Sequence, residues 1–282
     1  MKRLMGIVNV TPDSFSDGGL YLDAGAAISH GRRLLAEGAD IVDIGGESTR
    51  PGAAAVDAAE ERARTEPVVR ALADQGATVS IDTSKVAVAD AALDAGARVV
   101  NDVTAFVAEP ELADLCADRE CGVVLMHMQG TPRTMQENPS YDDVVDDVKA
   151  FLAERVEFAV ARGVAEGEIW IDPGIGFGKT PAHNLEVLRR LGELRALGRP
   201  ILIGTSRKSF LGRLTGRDVS GRIGGTIASN VIALANGAEV FRVHDVGAVR
   251  DALTVAEALL GRSGWGVDER FAAAESGAGR IV

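Results

Sequence analysis

Short apolar runs alternate with longer amphipathic stretches along this chain. The runs cover residues 4–8, 40–44, 78–81, 98–100, 122–126, 168–171, 200–203 and 239–242. Each is rich in valine and isoleucine, as strands covered on both faces are. Between them, apolar residues recur at helical spacing over 24–37, 59–75, 86–95, 141–162, 182–197 and 222–236. Gly38, Gly76, Gly96, Gly163, Gly198 and Gly237 stand just ahead of the next run, where a helix commonly ends in a left-handed cap. Helix, glycine, then strand is the βα unit. Eight such units in about 260 residues predict a single α/β domain, a closed (β/α)8 TIM barrel and not an open doubly wound sheet.

The connections are uneven. Long polar stretches follow the first strand (10–22), the second (45–56) and the fifth (129–140), and loops of that length in a barrel usually carry function. The barrel is expected over residues 1–261. Beyond Gly261 the chain turns rich in glycine, serine and alanine, so 262–282 reads as a flexible C-terminal tail.

Charge narrows the field of partners. Thirty basic residues against 41 acidic ones leave a formal charge of −11, which repels nucleic acid and anionic membrane surfaces. Aromatic residues make up 4%, too few for a base-stacking platform. No apolar run approaches the roughly 18 residues of a membrane helix, and the first residues are too briefly apolar for a signal peptide. The two cysteines, Cys116 and Cys121, are not spaced as CxxC, and the reading places the chain reduced, in the cytoplasm.

In a TIM barrel chemistry gathers at the carboxyl ends of the strands. Here those ends carry Asn9, Asp43 with Glu47, Asp82, Asn101, His127, Asp172, Ser206 with Lys208, and Arg242 with His244. One such residue commonly caps a helix or satisfies a loop; polar groups at the ends of all eight strands predict one pocket. Asp82, Asn101 and Asp172 suit the donor-rich edge of an amino-bearing heterocycle. Lys208, Arg242, His244 and Asn9 suit an anion and its metal. Two lookalikes fail. The segment 174–180 resembles a phosphate loop, but Pro173 stands where a Walker motif begins with glycine, and Lys179 stands where GxGxxG ends with one. There is no HExxH pattern and no cysteine cluster to hold zinc.

The longer motifs carry a family likeness. The stretch MGIVNVTPDSFSDGG at 5–19 and DIGGESTRPG at 43–52 resemble the two signature segments of dihydropteroate synthases. Further matches follow in the same order: SIDT at 80–83, VNDV at 100–103, VLMH at 124–127, DPGIGF at 172–177, GTSRKSF at 204–210 and FRVH at 241–244. The resemblance implies the condensation of (7,8-dihydropterin-6-yl)methyl diphosphate with 4-aminobenzoate, giving 7,8-dihydropteroate and diphosphate in folate synthesis. It implies a pterin pocket of Asp82, Asn101, Met126, Asp172 and Lys208. Asn9 would ligate Mg2+, with Thr49, Arg242 and His244 holding the diphosphate. Phe15, Arg50, Pro51, Phe177 and Ser209 would wall the aminobenzoate site. Asp17, Lys208, Arg242 and His244 would act in catalysis, Asp17 facing a cationic pterin methylene. The likeness further implies a homodimer and competition by sulfonamides. Two other functions share parts of the pattern. A pterin-dependent corrinoid-protein methyltransferase would lack the SRKSF segment and the pair Arg242 and His244; a silent pterin-binding paralogue would have lost loop residues or Lys208.

Overall fold

Alternation along each strand sorts the side chains into two cores, because successive strand residues face opposite ways. Leu4, Val8, Val42, Ile44, Val79, Ile81, Val123, Leu125 and Phe241 point outward into a large core beneath the helices. Met5, Ile41, Val99, Val124, Trp170, Leu202 and Val240 form a separate cluster at the alternate positions. Drawn from seven strands and walled off from the outer core, this second cluster is the filling of a barrel. Arg3 lies over the Trp170 ring at 4.7 Å.

The computed structural model describes residues 2–11, 20–48, 55–131 and 133–262. The elements run β1 (Arg3–Asn9), α1 (Leu20–Ala36), β2 (Ile41–Gly45), α2 (Ala58–Ala73), β3 (Val79–Asp82), α3 (Val86–Asp94), β4 (Val99–Asp102), α4 (Glu111–Asp118) and β5 (Gly122–Met126). They continue with α5 (Val144–Ala161), β6 (Ile169–Asp172), α6 (Pro181–Arg189), β7 (Leu202–Ile203), α7 (Ser209–Thr215), α8 (Ile223–Ala235), β8 (Val240–Val243) and α9 (Val246–Leu259). All strand pairings are parallel, in the order β6-β5-β4-β3-β2-β1-β8-β7. A parallel bridge between Ile171 and Ile201 joins β6 to the approach of β7 and completes the ring. The (β/α)8 expectation holds, and the six glycines ahead of the strands all have positive φ.

Two expectations shift. The helix expected over 182–197 ends at Arg189 and gives way to a 3-10 turn, Leu191–Leu197. Asn236 Nδ2 donates to the carbonyl oxygens of Leu188 (2.8 Å) and Arg189 (3.3 Å), taking acceptors that a continuing helix would use, and Gly192 adds little helical preference. The strands also reach further than the apolar runs: β1, β3, β4 and β6 include Asn9, Asp82, Asp102 and Asp172. Their polar side chains leave the backbone ladder intact, so hydropathy alone ends these strands too early. Apart from Arg262, the tail 262–282 lies outside the described residues.

Candidate active site at the barrel mouth

Beyond the apolar plug, the next inward positions toward the strand carboxyl ends hold Asp43, Asp82, Asn101, Met126, Asp172 and Arg242, with Asn9 and Gly45 at the rim. Parity places them there: each is two or four residues from a plug residue, or, on β3, two from the buried Ser80. A slip of one residue would turn every one of them to the helices. Register sets Asn9 beside Gly45, Gly45 beside Asp82, and Asp82 beside Asn101. At Gly45 a Cβ would stand 3.5 Å from Asp82 Cβ and 3.8 Å from Asn9 Oδ1, so glycine leaves room between two polar groups.

The charges are tied together. Arg242 donates from Nε to Asp43 Oδ2 at 2.6 Å and from Nη2 to Asp82 Oδ2 at 2.7 Å. Asn101 Nδ2 donates to the same Asp43 oxygen at 3.1 Å. Asp43 is fully buried and its Oδ1 has no partner among the described residues. Burial pushes Asp82 up to about 7, against the pull of the Arg242 cation. Burial also disfavours the Arg242 charge, but Asp43 and Asp82 carry it above its ordinary value. Across the mouth, Asp172 Oδ1 accepts from the Gly174 N–H at 2.7 Å; burial raises this carboxyl although that bond and Lys208 oppose it. Burial draws Lys208 down to about 8, aided by the Arg242 charge and resisted by Asp172 and Asp82.

Lys208 is aimed from a constrained turn. Arg207 ahead of it has φ +56, a costly conformation for a residue with a side chain. Its neighbours fix it: the Arg207 N–H donates to Thr226 Oγ1 at 3.0 Å, Arg222 Nη1 donates to its carbonyl at 2.9 Å, and its guanidinium grips Asp245 at 3.0 and 2.5 Å. The Lys208 ammonium lies 4.1 Å from the centre of the Phe177 ring, within range of a cation–π attraction. Ser206 Oγ accepts from the His244 N–H at 3.1 Å and lies 2.9 Å from His244 Nδ1, so Ser206 orients the imidazole.

The expectation of one pocket fed by every polar strand end needs correction at two residues. His127 follows the inward Met126 and turns away from the mouth; its Nδ1 meets Lys179 Nζ at 2.8 Å and its ring packs edge-on against Phe151. Glu47 sits at the foot of the second loop, accepting from the Val56 N–H at 3.2 Å and from Lys85 Nζ at 2.5 Å. Asp102, outward on β4, accepts from the N–H groups of Thr104 and Phe106 and holds its loop. Asn9, Asp82, Asn101, Met126, Asp172, Lys208 and Arg242 converge on one end of the barrel, with His244 and Phe177 on its flanking loops and Ser209 at the start of α7. Phe15, Asp17, Thr49, Arg50 and Pro51 lie outside the described residues. The sequence pattern alone assigns Asp43 no role. Its signal was an acid inside a run buried on both faces.

The loop after β6 is held closely. Gly174 has φ +67, and a Cβ there would lie 1.9 Å from the His127 carbonyl oxygen. Gly174→Ala is expected to lose at least about 2 kcal/mol of stability through strain and that clash, read as a lowered thermal midpoint. An unchanged midpoint would show that the loop is free to move off His127.

The barrel, with carboxylates, an amide and two cations at its mouth, can be set beside known proteins. A family model described as "Pterin binding enzyme" matches residues 5–244. The dihydropteroate synthase of Neisseria meningitidis serogroup C is 49% identical over 261 residues, spanning 91% of this chain and 92% of the relative. The Xanthomonas albilineans dihydropteroate synthase structure with 4-aminobenzoic acid is 49% identical, with a TM-score of 0.86 over 92% of this chain and 93% of its own. The same enzyme in complex with 7,8-dihydropteroate matches at 46% identity and a TM-score of 0.84, covering 92% and 94%. With eight parallel strands in register and likeness over nine-tenths of its length, the chain belongs to the dihydropteroate synthase family of pterin-binding enzymes.

Proposed function

We infer that this mouth joins (7,8-dihydropterin-6-yl)methyl diphosphate to 4-aminobenzoate, yielding 7,8-dihydropteroate and diphosphate. The observation that carries the reading is Arg242 bridging Asp43 and Asp82 in the layer that also holds Asn101 and Asp172. Cationic charge suited to a departing anion then stands beside hydrogen-bonding groups suited to a ring. Asp82, Asn101 and Asp172 take the ring's amino and N–H donors, Lys208 donates to its acceptors, and Met126 lies against its face. Arg242 and His244, with Thr49, hold the diphosphate. Phe177 and Ser209, with Phe15, Arg50 and Pro51, wall the aminobenzoate.

The bond that breaks joins the methylene carbon to a diphosphate oxygen, which leaves with the electron pair. Ring nitrogen lone pairs steady the carbon left behind. The aniline nitrogen then forms the new C–N bond and gives up one proton. Fixed charges contribute most where charge develops without reorganisation. Arg242 and His244 do so for the leaving group and Asp17 for the cation, while a closed site keeps water off the carbon.

A divalent cation fits the donor set. Among the described residues no group of three or more His, Cys, Asp or Glu side chains could cage a metal, whereas the Asn9 amide at the rim offers one hard oxygen. Mg2+ keeps much of its water and takes few protein ligands beside substrate phosphates. Held by Asn9 and the diphosphate, it would neutralise charge on the leaving group. A second copy of the chain is the further partner of this reading, supported by the exposed apolar Leu214, Ile223, Ile232, Val255 and Leu259 near or on α7 to α9. No helix among the described residues is long and apolar enough to cross a membrane. The free thiols Cys116 and Cys121 support a cytoplasmic setting.

Purified protein incubated with both substrates and Mg2+ should release diphosphate in step with the formation of 7,8-dihydropteroate. Tight pterin binding without diphosphate release would mark a silent paralogue and overturn the reading.

A further inference from the structure

The loop joining β6 to α6 is tied to a cation that the reaction above leaves without a task. Lys179 is 2% exposed. Its ammonium donates to the carbonyl oxygens of Gly174 at 3.0 Å and Phe177 at 3.1 Å, and lies 2.8 Å from His127 Nδ1. Burial draws this amine down to about 7, with the Asp172 carboxylate opposing the fall; in its ammonium form its three protons match these three contacts. Burial, reinforced by Lys179, lowers His127 to about 3, so its imidazole is neutral and free to accept at Nδ1. An amine in a place where methionine could pack carries a desolvation cost, which asks for a role.

The two carbonyls that Lys179 holds belong to the segment facing Lys208. At Gly176 a Cβ would stand 3.2 Å from Lys208 Cδ, and the Phe177 ring lies 4.1 Å from the Lys208 ammonium. Gly174, Gly176 and Gly178 all have positive φ, and three glycines in five residues give the loop little stiffness of its own. Its shape is set by bonds. On the other face Tyr141 Oη donates to the Gly178 carbonyl at 2.6 Å and Gln136 Nε2 to the Gly176 carbonyl at 2.7 Å.

We propose that Lys179 is a positioning residue for the aminobenzoate side of the site: its buried ammonium holds the Gly174 and Phe177 carbonyls and thereby sets the Phe177 ring against Lys208. Lys179 itself touches neither substrate. The inference rests on the reading that Phe177 walls the aminobenzoate.

The test is a kinetic cycle of Lys179→Met, Phe177→Ala and the double variant, with each substrate varied in turn. Lys179→Met should raise KM for 4-aminobenzoate about tenfold, equivalent to about 1.4 kcal/mol. KM for the pterin diphosphate should change less than about twofold, because strands fix Asp82, Asn101 and Asp172 and the bonds of Arg207 hold the turn that aims Lys208. The double variant should be no worse than Phe177→Ala alone, since losses acting through one group do not add. Lys179→Gln keeps two donors for the two carbonyls and should give a rise of about threefold; it carries the same cycle if the methionine variant fails to fold. A wild-type aminobenzoate KM in the lysine variants, or additive losses in the double variant, overturns the inference. If Phe177→Ala leaves that KM unchanged while diphosphate is still released, the Phe177 assignment and this inference fall together; if only the lysine variants are silent, the Phe177 assignment survives.

Discussion

Arg242→Met is expected to be the costliest single change at the barrel mouth. Methionine retains much of the stem but strips the cation from Asp43 and Asp82, which are 0% and 9% exposed. Breaking a buried pair from one side costs about 3–5 kcal/mol, a fall in thermal midpoint on the order of 10 °C for a chain of this size. The deficit should depend on pH. Asp82 sits at about 7 in the folded protein against an ordinary 3.8. A carboxyl with a raised folded value favours the folded state most below its unfolded value, and that contribution is lost as pH rises through the folded one. Removing the cation lifts the folded value further and extends the loss upward. The variant should therefore be relatively worse near about pH 8 than near about pH 5.5. Calorimetric midpoints showing the same deficit at both would mean that Arg242 does not offset these carboxyls. Its rate of diphosphate release should also fall about 100- to 1000-fold, as when one preorganised donor is taken from a developing anion.

Asp172→Ala and Lys208→Ala are the second test, this time of the ring side. On the proposed reading each removes a polar partner of the pterin, costing about 1–3 kcal/mol of binding, or roughly 5- to 150-fold in Kd. The two groups stand at the same mouth and interact electrostatically, so the double variant should lose less than the sum. Titrating a dihydropterin by calorimetry across pH adds a signature. Wild-type affinity should fall as pH rises above about 8, where Lys208 gives up its proton, and Lys208→Ala should lack that limb. Unchanged affinity in both variants would remove them from the pocket.

Much of this was legible in the chain because a buried parallel sheet writes a strong signal. Runs such as 122–126 and 168–171, each preceded by a helix and a capping glycine, give the βα repeat. A polar residue closing such a run, as Asp172 and Asn101 do, marks the mouth. Hydropathy could not separate neighbours that face opposite ways. Met126 lines the lumen and His127 braces the loop behind it, a distinction that depends on strand parity. Nor could it show that Lys179, which looked like a failed phosphate-loop residue, would be buried against two carbonyls. Glu47 reads as a strand-end acid, yet its partner Lys85 lies 38 residues away, and only the fold brings the two together. The break in the helix at Arg189 depends on Asn236, equally remote in the chain.

The most direct measurement is a crystal structure of the protein with (7,8-dihydropterin-6-yl)methyl diphosphate and Mg2+. The ring should lie among Asp82, Asn101, Asp172 and Lys208, with its diphosphate against Arg242 and His244 and the metal at Asn9. A ring seated anywhere else, or a diphosphate directed away from Arg242, would contradict the account.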